Sequence, residues 1–225
     1  MPAISLKKES NVFILTLDDP ENDNTFKPEV FDEYDALFDE IEASTDNAAL
    51  LITSSSPKTW CNGINLNWLM ANSNEMDPFV ARLERFLLRA ALLNLPTLAC
   101  MVGNTYAGGA IFAAAMDFRF MRADRGRFCF SEVDVKLPFS PIMTQVIQLL
   151  PNRQALNELA LTGIRVGGEE CLEKQIVDRI YNEDALFEKS LEYATFLAEK
   201  DRNTYRTIKH RLRHELVAMN AALPA

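Results

Sequence analysis

Three features of this 225-residue chain predict an α/β fold with a helical C-terminal portion. Strand-like and helix-like segments alternate through roughly the first 130 residues. Helical periodicity dominates from Pro141 onward, broken by one strand-like stretch, "IVDRIY". Two strand–loop–helix junctions, at "CNGINLNWL" and "GNTYAGG", put glycine at a strand's carboxyl end, where open α/β sheets bind ligands.

Taken in order, "ISLKKESNVFILTLDDP" predicts two short strands broken at Glu9-Ser10, the second ending at Pro20. In "KPEVFDEYDALFDEIEAS", Pro28 suits a first helical turn, and Val30, Phe31, Tyr34, Leu37, Phe38 and Ile41 recur at helical spacing. "AALLITSS" is a continuous apolar run of strand length, as expected of a strand covered on both faces. "SSPKTWCNG" reads as a polar loop, and helical stretches follow over "INLNWLMANS" and "PFVARLERFLLRAALLN". Pro96 stops the second, and "TLACMV" is another short buried strand. After a glycine-led helix come strand-like "FRFMRA" and "RFCFSEV". No internal repeat, low-complexity tract or long linker is evident.

Composition narrows the function classes. With 48% hydrophobic and 24% charged residues, the chain falls among ordinary globular proteins. Its apolar runs are too short for a membrane span, and the N-terminus lacks the apolar core of a signal peptide. A net charge of −9 disfavours nucleic-acid binding, which depends on Lys and Arg neutralising phosphates. Cys61, Cys100, Cys129 and Cys171 are widely spaced and read as reduced thiols of a cytoplasmic or organellar compartment. The only histidines, His210 and His214, stand four apart in a basic helical segment, a metal-compatible spacing with no third ligand in view. A Ser-His-Asp triad would have to recruit one of them from that terminal segment. G-x-G-x-x-G, P-loop, G-x-S-x-G and H-E-x-x-H motifs are all missing.

The adjacent Gly108 and Gly109 are the feature most in need of explanation, since glycine costs roughly 1 kcal/mol relative to alanine in a helix interior. They either let the helix pack closely on its neighbours or open its first turn to a ligand. Two such junctions, separated by a helical connection, suggest two N–H donors converging on one oxygen, as an oxyanion hole requires.

The order of elements and the two junctions resemble the crotonase family, the enoyl-CoA hydratase/isomerase superfamily. "ALNELALTGIRVGGEECLEKQIVDRI" is also similar to that family's "LLTG…A-x-E-A…G-L-V-D" stretch, and the likeness covers roughly residues 4 to 200. The resemblance implies a spiral of repeated ββα units over residues 1–140 and a helical region over 141–225 that builds trimers or dimers of trimers. It also implies acyl-CoA thioester substrates, with coenzyme A as part of the substrate and no separate cofactor.

Site residues carry over by position. Where the family commonly reads "F-S-A-G-A-D-L", this chain has "W-C-N-G-I-N-L". The resemblance makes the Ile64 N–H the first oxyanion donor, with Asn62, Gly63, Asn65, Leu66 and Asn67 along the substrate. Asn65 replaces the usual acid. The second glycine junction puts the second donor on Gly108, beside Gly109. Of the two carboxylates that hydratases of this family use, one falls on Ile111, which cannot transfer a proton. The other falls on Glu132 in "FCFSEVDVKLP", matching the family's "P-E-x-x-x-G-x-x-P" loop, with Asp134 the nearest competitor.

One carboxylate with an oxyanion hole suits the family's 3-enoyl-CoA to 2-enoyl-CoA isomerases, whose single Glu moves a proton from C2 to C4 during fatty acid β-oxidation. Hydration, thioester hydrolysis and non-catalytic acyl-CoA binding are the alternatives. Lys209, Arg211 and Arg213 are candidates to meet the CoA phosphates. A eukaryotic source would suggest a peroxisomal location, although "LPA" is not an S-K-L type ending.

Overall fold

The computed structural model describes residues 2–223. The first two strands, β1 (Ile4–Glu9) and β2 (Val12–Leu17), form an antiparallel hairpin, and helix α1 (Pro28–Ala43) follows. Three repeats come next, each laying one strand in a large sheet and the next strand in a small one. They are β3 (Ala49–Ser54) with β4 (Thr59–Cys61), β5 (Thr97–Met101) with β6 (Asn104–Tyr106), and β7 (Phe118–Arg122) with β8 (Phe128–Cys129). Helices α2 (Leu66–Ala71) and α3 (Met76–Leu92) follow the first pair, α4 (Gly108–Ala115) the second, and α5 (Glu132–Val135) the third. Then come α6 (Pro141–Ile147), α7 (Arg153–Thr162), α8 (Gly168–Glu173), β9 (Arg179–Tyr181), α9 (Glu183–Ala198), α10 (Arg202–Leu212) and α11 (His214–Ala222).

The large sheet runs β1-β2-β3-β5-β7-β9, parallel except for the first hairpin, and the small parallel sheet runs β4-β6-β8. Alternation along β3 explains its unbroken apolar run. Leu50 and Ile52 face the main core beneath α1, α3 and α4, while Ala49 and Leu51 face a second core under α9. The main core also takes in Ile142, Val146, Leu156 and Leu216, so the C-terminal helices close the same hydrophobic interior.

Two expectations are corrected. "SSPKTWCNG" and "GNTYAGG" are not plain loops, because each contains a three-residue strand of the small sheet. Strands that short leave too few residues for an alternating pattern to register. "RFCFSEV" is a strand only at Phe128–Cys129. From Ser131 the backbone turns into α5, whose Asp134 and Val135 N–H groups both reach the Ser131 carbonyl.

Candidate active site

The three strands of the small sheet are parallel, so their carboxyl ends lie at one edge, and each runs directly into a helix. β4 leads to Gly63 and Ile64 ahead of α2, β6 to Ala107 and Gly108 opening α4, and β8 to Glu132 opening α5. A cavity of about 580 Å³ sits there, bordered by Ile64, Gly108 and Glu132 together. The third junction is of the same kind as the two glycine junctions, and it carries a carboxylate in place of a donor.

At the first junction, the Phe26 N–H donates to the Gly63 carbonyl (2.7 Å), and the Asn65 N–H donates to the Phe26 carbonyl (2.9 Å). Neighbouring peptide groups of an extended segment point in opposite directions. The Ile64 N–H is therefore turned away from this pairing, and it has no backbone partner among the described residues. Asn65 caps α2: its Oδ1 accepts from the Trp68 N–H at 2.9 Å, and its Nδ2 donates to Thr25 Oγ1 at 3.2 Å. An amide can do both, which explains an Asn where the family has an acid.

At the second junction, Ala107 adopts φ 50° and ψ −126°, a conformation costly for a residue with a Cβ. Its own N–H donates to the Cys129 carbonyl and its carbonyl accepts from Ile111, so the strain falls on the peptide that orients the Gly108 N–H. That N–H is among the orphan donors of a helix's first turn. The two junctions touch. A Cβ on Gly63 would lie 2.5 Å from the Gly108 nitrogen, and Gly63 has a φ of +74° that favours glycine. Gly109 is there for packing, since a Cβ on it would fall 2.2 Å from the Cys61 carbonyl oxygen. Of the expected site residues, Asn62, Ile64, Asn65, Leu66, Asn67, Gly108, Ile111 and Glu132 border the cavity, whereas Gly63 and Gly109 lie behind its wall.

Glu132 is 8% exposed, and its Oε2 is buried with no hydrogen-bond partner. Burial pushes its carboxyl up from 4.5 to about 7, opposed only by a bond to its own backbone N–H. Such a group changes charge near neutrality, where a general base works best. Asp134 is exposed and stands over Gly163, away from the cavity wall. Ile111 is buried and puts an apolar side chain on that wall.

Much of the remaining wall is apolar, while Glu21, Asn22, Asp23 and Thr25 give it a polar stretch. Met76, Val80 and Leu83, spaced 4 and 3 apart on α3, come from one side, and Leu137 and Met143 from the other. Sequence reading missed these residues as site components; the helical spacing of Met76, Val80 and Leu83 was the available signal, and it also fits an ordinary core face. Lys209 and Arg213 do not form an open basic face. Lys209 is buried, and both cations pair with the buried Asp117, each at 2.9 Å. Among that trio only Arg211 is exposed to solvent. His210 places Nε2 2.9 Å from the Leu92 carbonyl oxygen.

Fold and site together define an enoyl-CoA hydratase/isomerase family protein: that family matches residues 7–223, and the chain belongs to it. Among curated relatives, the chain is 30% identical to enoyl-CoA delta isomerase 3 of Arabidopsis thaliana over 224 residues, covering 96% of this chain and 94% of that protein. It is 28% identical to the peroxisomal enoyl-CoA delta isomerase 2 of the same plant, covering 77% and 75%. Among solved structures, an enoyl-CoA hydratase/isomerase family protein from Pseudomonas syringae superposes with a TM-score of 0.89 at 20% identity, covering 98% of this chain and 94% of that one. No helix among the described residues is long and apolar enough to cross a membrane.

Proposed function

We propose that the cavity converts 3-enoyl-CoA thioesters to 2-enoyl-CoA thioesters, with coenzyme A entering as part of the substrate. The observation that carries this reading is Glu132: a single buried, unpartnered carboxylate held near neutral pKa beside two free backbone N–H groups. Glu132 takes a proton from C2, and the electron pair moves onto the thioester oxygen, where the Ile64 and Gly108 N–H groups receive the charge. The protonated Glu132 then returns its proton at C4, and the double bond ends between C2 and C3. No water enters the balance, in keeping with Ile111 standing where the family resemblance would put the second carboxylate needed for hydration. The same proposal gives the protein a role in fatty acid β-oxidation.

Turnover of 3-hexenoyl-CoA and crotonyl-CoA by the purified protein tests it. Double-bond migration without hydration is expected. Glu132→Gln keeps the side-chain shape but cannot accept the C2 proton, so it should bind the thioester while losing at least about 10²-fold in kcat. A fully active Glu132→Gln would remove Glu132 from the mechanism and make Asp134 the next residue to examine.

A further inference from the structure

Helices α3 and α4 both wall the cavity with their N-terminal portions, α3 through Met76, Val80 and Leu83, and α4 through Gly108 and Ile111. Their C-terminal ends meet on the far side, and cations on or just after α10 tie both of them. Arg213 Nη1 donates to the Ala91 carbonyl of α3 and, at 3.0 Å, to the Ala115 carbonyl of α4. Its Nη2 reaches the Met116 carbonyl at 3.4 Å and pairs with Asp117 at 2.9 Å. Lys209 Nζ donates to the Leu93 and Leu95 carbonyls just past α3, each at 3.1 Å. Asp117 is held in turn by Lys209 and by the Thr97 N–H and hydroxyl.

We propose that Arg213 is a positioning residue for the Gly108 N–H: by binding the C-terminal ends of α3 and α4 together against Asp117, it fixes where the first turn of α4 stands in the cavity. Helix α4 has only eight residues, six of them Gly or Ala, and one large ring, Phe112, which packs against Phe26, Tyr34, Trp60 and Phe86. Phe112 anchors the middle of the helix, and its ends set its tilt. Its N-terminal N–H must stay unpaired to receive charge, so the holding falls to the other end. A planar guanidinium with five donors can bind three carbonyls and a carboxylate in one geometry, which an ammonium cannot reproduce. Its charge also complements the negative end of each helix dipole.

The effect on turnover rests on the isomerase reading; the effect on α4 does not. Arg213→Lys keeps the charge against Asp117 and loses the multiple carbonyl bonds. Arg202→Lys is the control, because Arg202 is a buried arginine that holds the Ile41 and Asp46 carbonyls at the end of α1 and touches neither α4 nor Asp117. Both variants are expected to lose stability. Arg213→Lys alone should raise amide hydrogen exchange across residues 108–115 and lower kcat roughly tenfold, with KM held within about twofold. Thr97→Val, which removes one hydroxyl from Asp117 and leaves every charge in place, is the milder second variant and should give a smaller change of the same kind. Equal exchange and kcat changes in the Arg213 and Arg202 variants would overturn the proposal. So would an Arg213→Lys that fails to fold alongside a Thr97→Val with unaltered α4 exchange. If the wild type turns over no 3-enoyl thioester while Arg213→Lys still loosens α4, the isomerase reading falls and the positioning role stands.

Discussion

Glu132 is a liability to stability as well as the base of the proposed reaction. Its carboxyl titrates at about 7 in the folded protein against an ordinary 4.5, so folding favours its neutral form. Below pH 4.5 the group is protonated in folded and unfolded chains alike and costs nothing. Between pH 4.5 and 7 that advantage is lost, and above pH 7 the folded state bears a constant penalty of ~3 kcal/mol. Glu132→Gln should therefore raise unfolding free energy by about that amount at pH 8 and leave it unchanged at pH 4, as read from urea titrations at both pH values. Equal effects at the two pH values would mean that the carboxyl is not destabilised by burial. The residue was legible only through its loop's likeness to a family pattern. In isolation, "RFCFSEV" reads as a strand edge, and nothing local announces that a carboxylate will be buried without a partner, against the usual rule for Glu.

Helix α4 was recognisable from its glycine-led alanine run, but the glycines have different reasons that sequence could not separate. A Cβ on Gly109 would press into the Cys61 backbone at 2.2 Å, whereas one on Gly108 would meet the Gly63 Cα at 3.3 Å and the edge of the Phe26 ring. Gly109→Ala should cost at least about 1–3 kcal/mol in a denaturation experiment. Gly108→Ala should fold with a smaller loss and reduced kcat, because the methyl group crowds the mouth of the donor N–H. The reverse ranking would put the packing role on Gly108. Elements with long periodic patterns, such as α1 and α3, were plain in the sequence. The strands of the small sheet were not, because β4, β6 and β8 gain their identity from pairing across the chain and not from any local repeat.

At the scale of the molecule, the alternation of strands and helices was enough to predict an α/β fold, and the resemblance supplied the spiral. Neither disclosed how fully the C-terminal portion joins the interior: β9 extends the large sheet beside β7, and Leu216 of α11 reaches the main core. Charge in a sequence gives no sign of burial: of the three candidates to meet the CoA phosphates, Lys209 and Arg213 are taken in by an aspartate 92 and 96 positions upstream. Apolar side chains at Val133 and Val135 of α5 and at Leu161 and Ile164 around the end of α7 remain exposed, a pattern typical of association surfaces. We expect sedimentation to give three or six times the 25.4 kDa chain mass; a stable monomer at micromolar concentration would contradict it. The clamp at Arg213 has a further consequence for biogenesis. Its carbonyl partners Ala91 and Ala115 precede it by 122 and 98 residues, contacts that close only once residue 213 has been synthesised. A nascent chain arrested just before residue 213 would have every strand of both sheets but not the tie between its cavity walls, leaving the apolar ends of α3 and α4 open to chaperones or to aggregation.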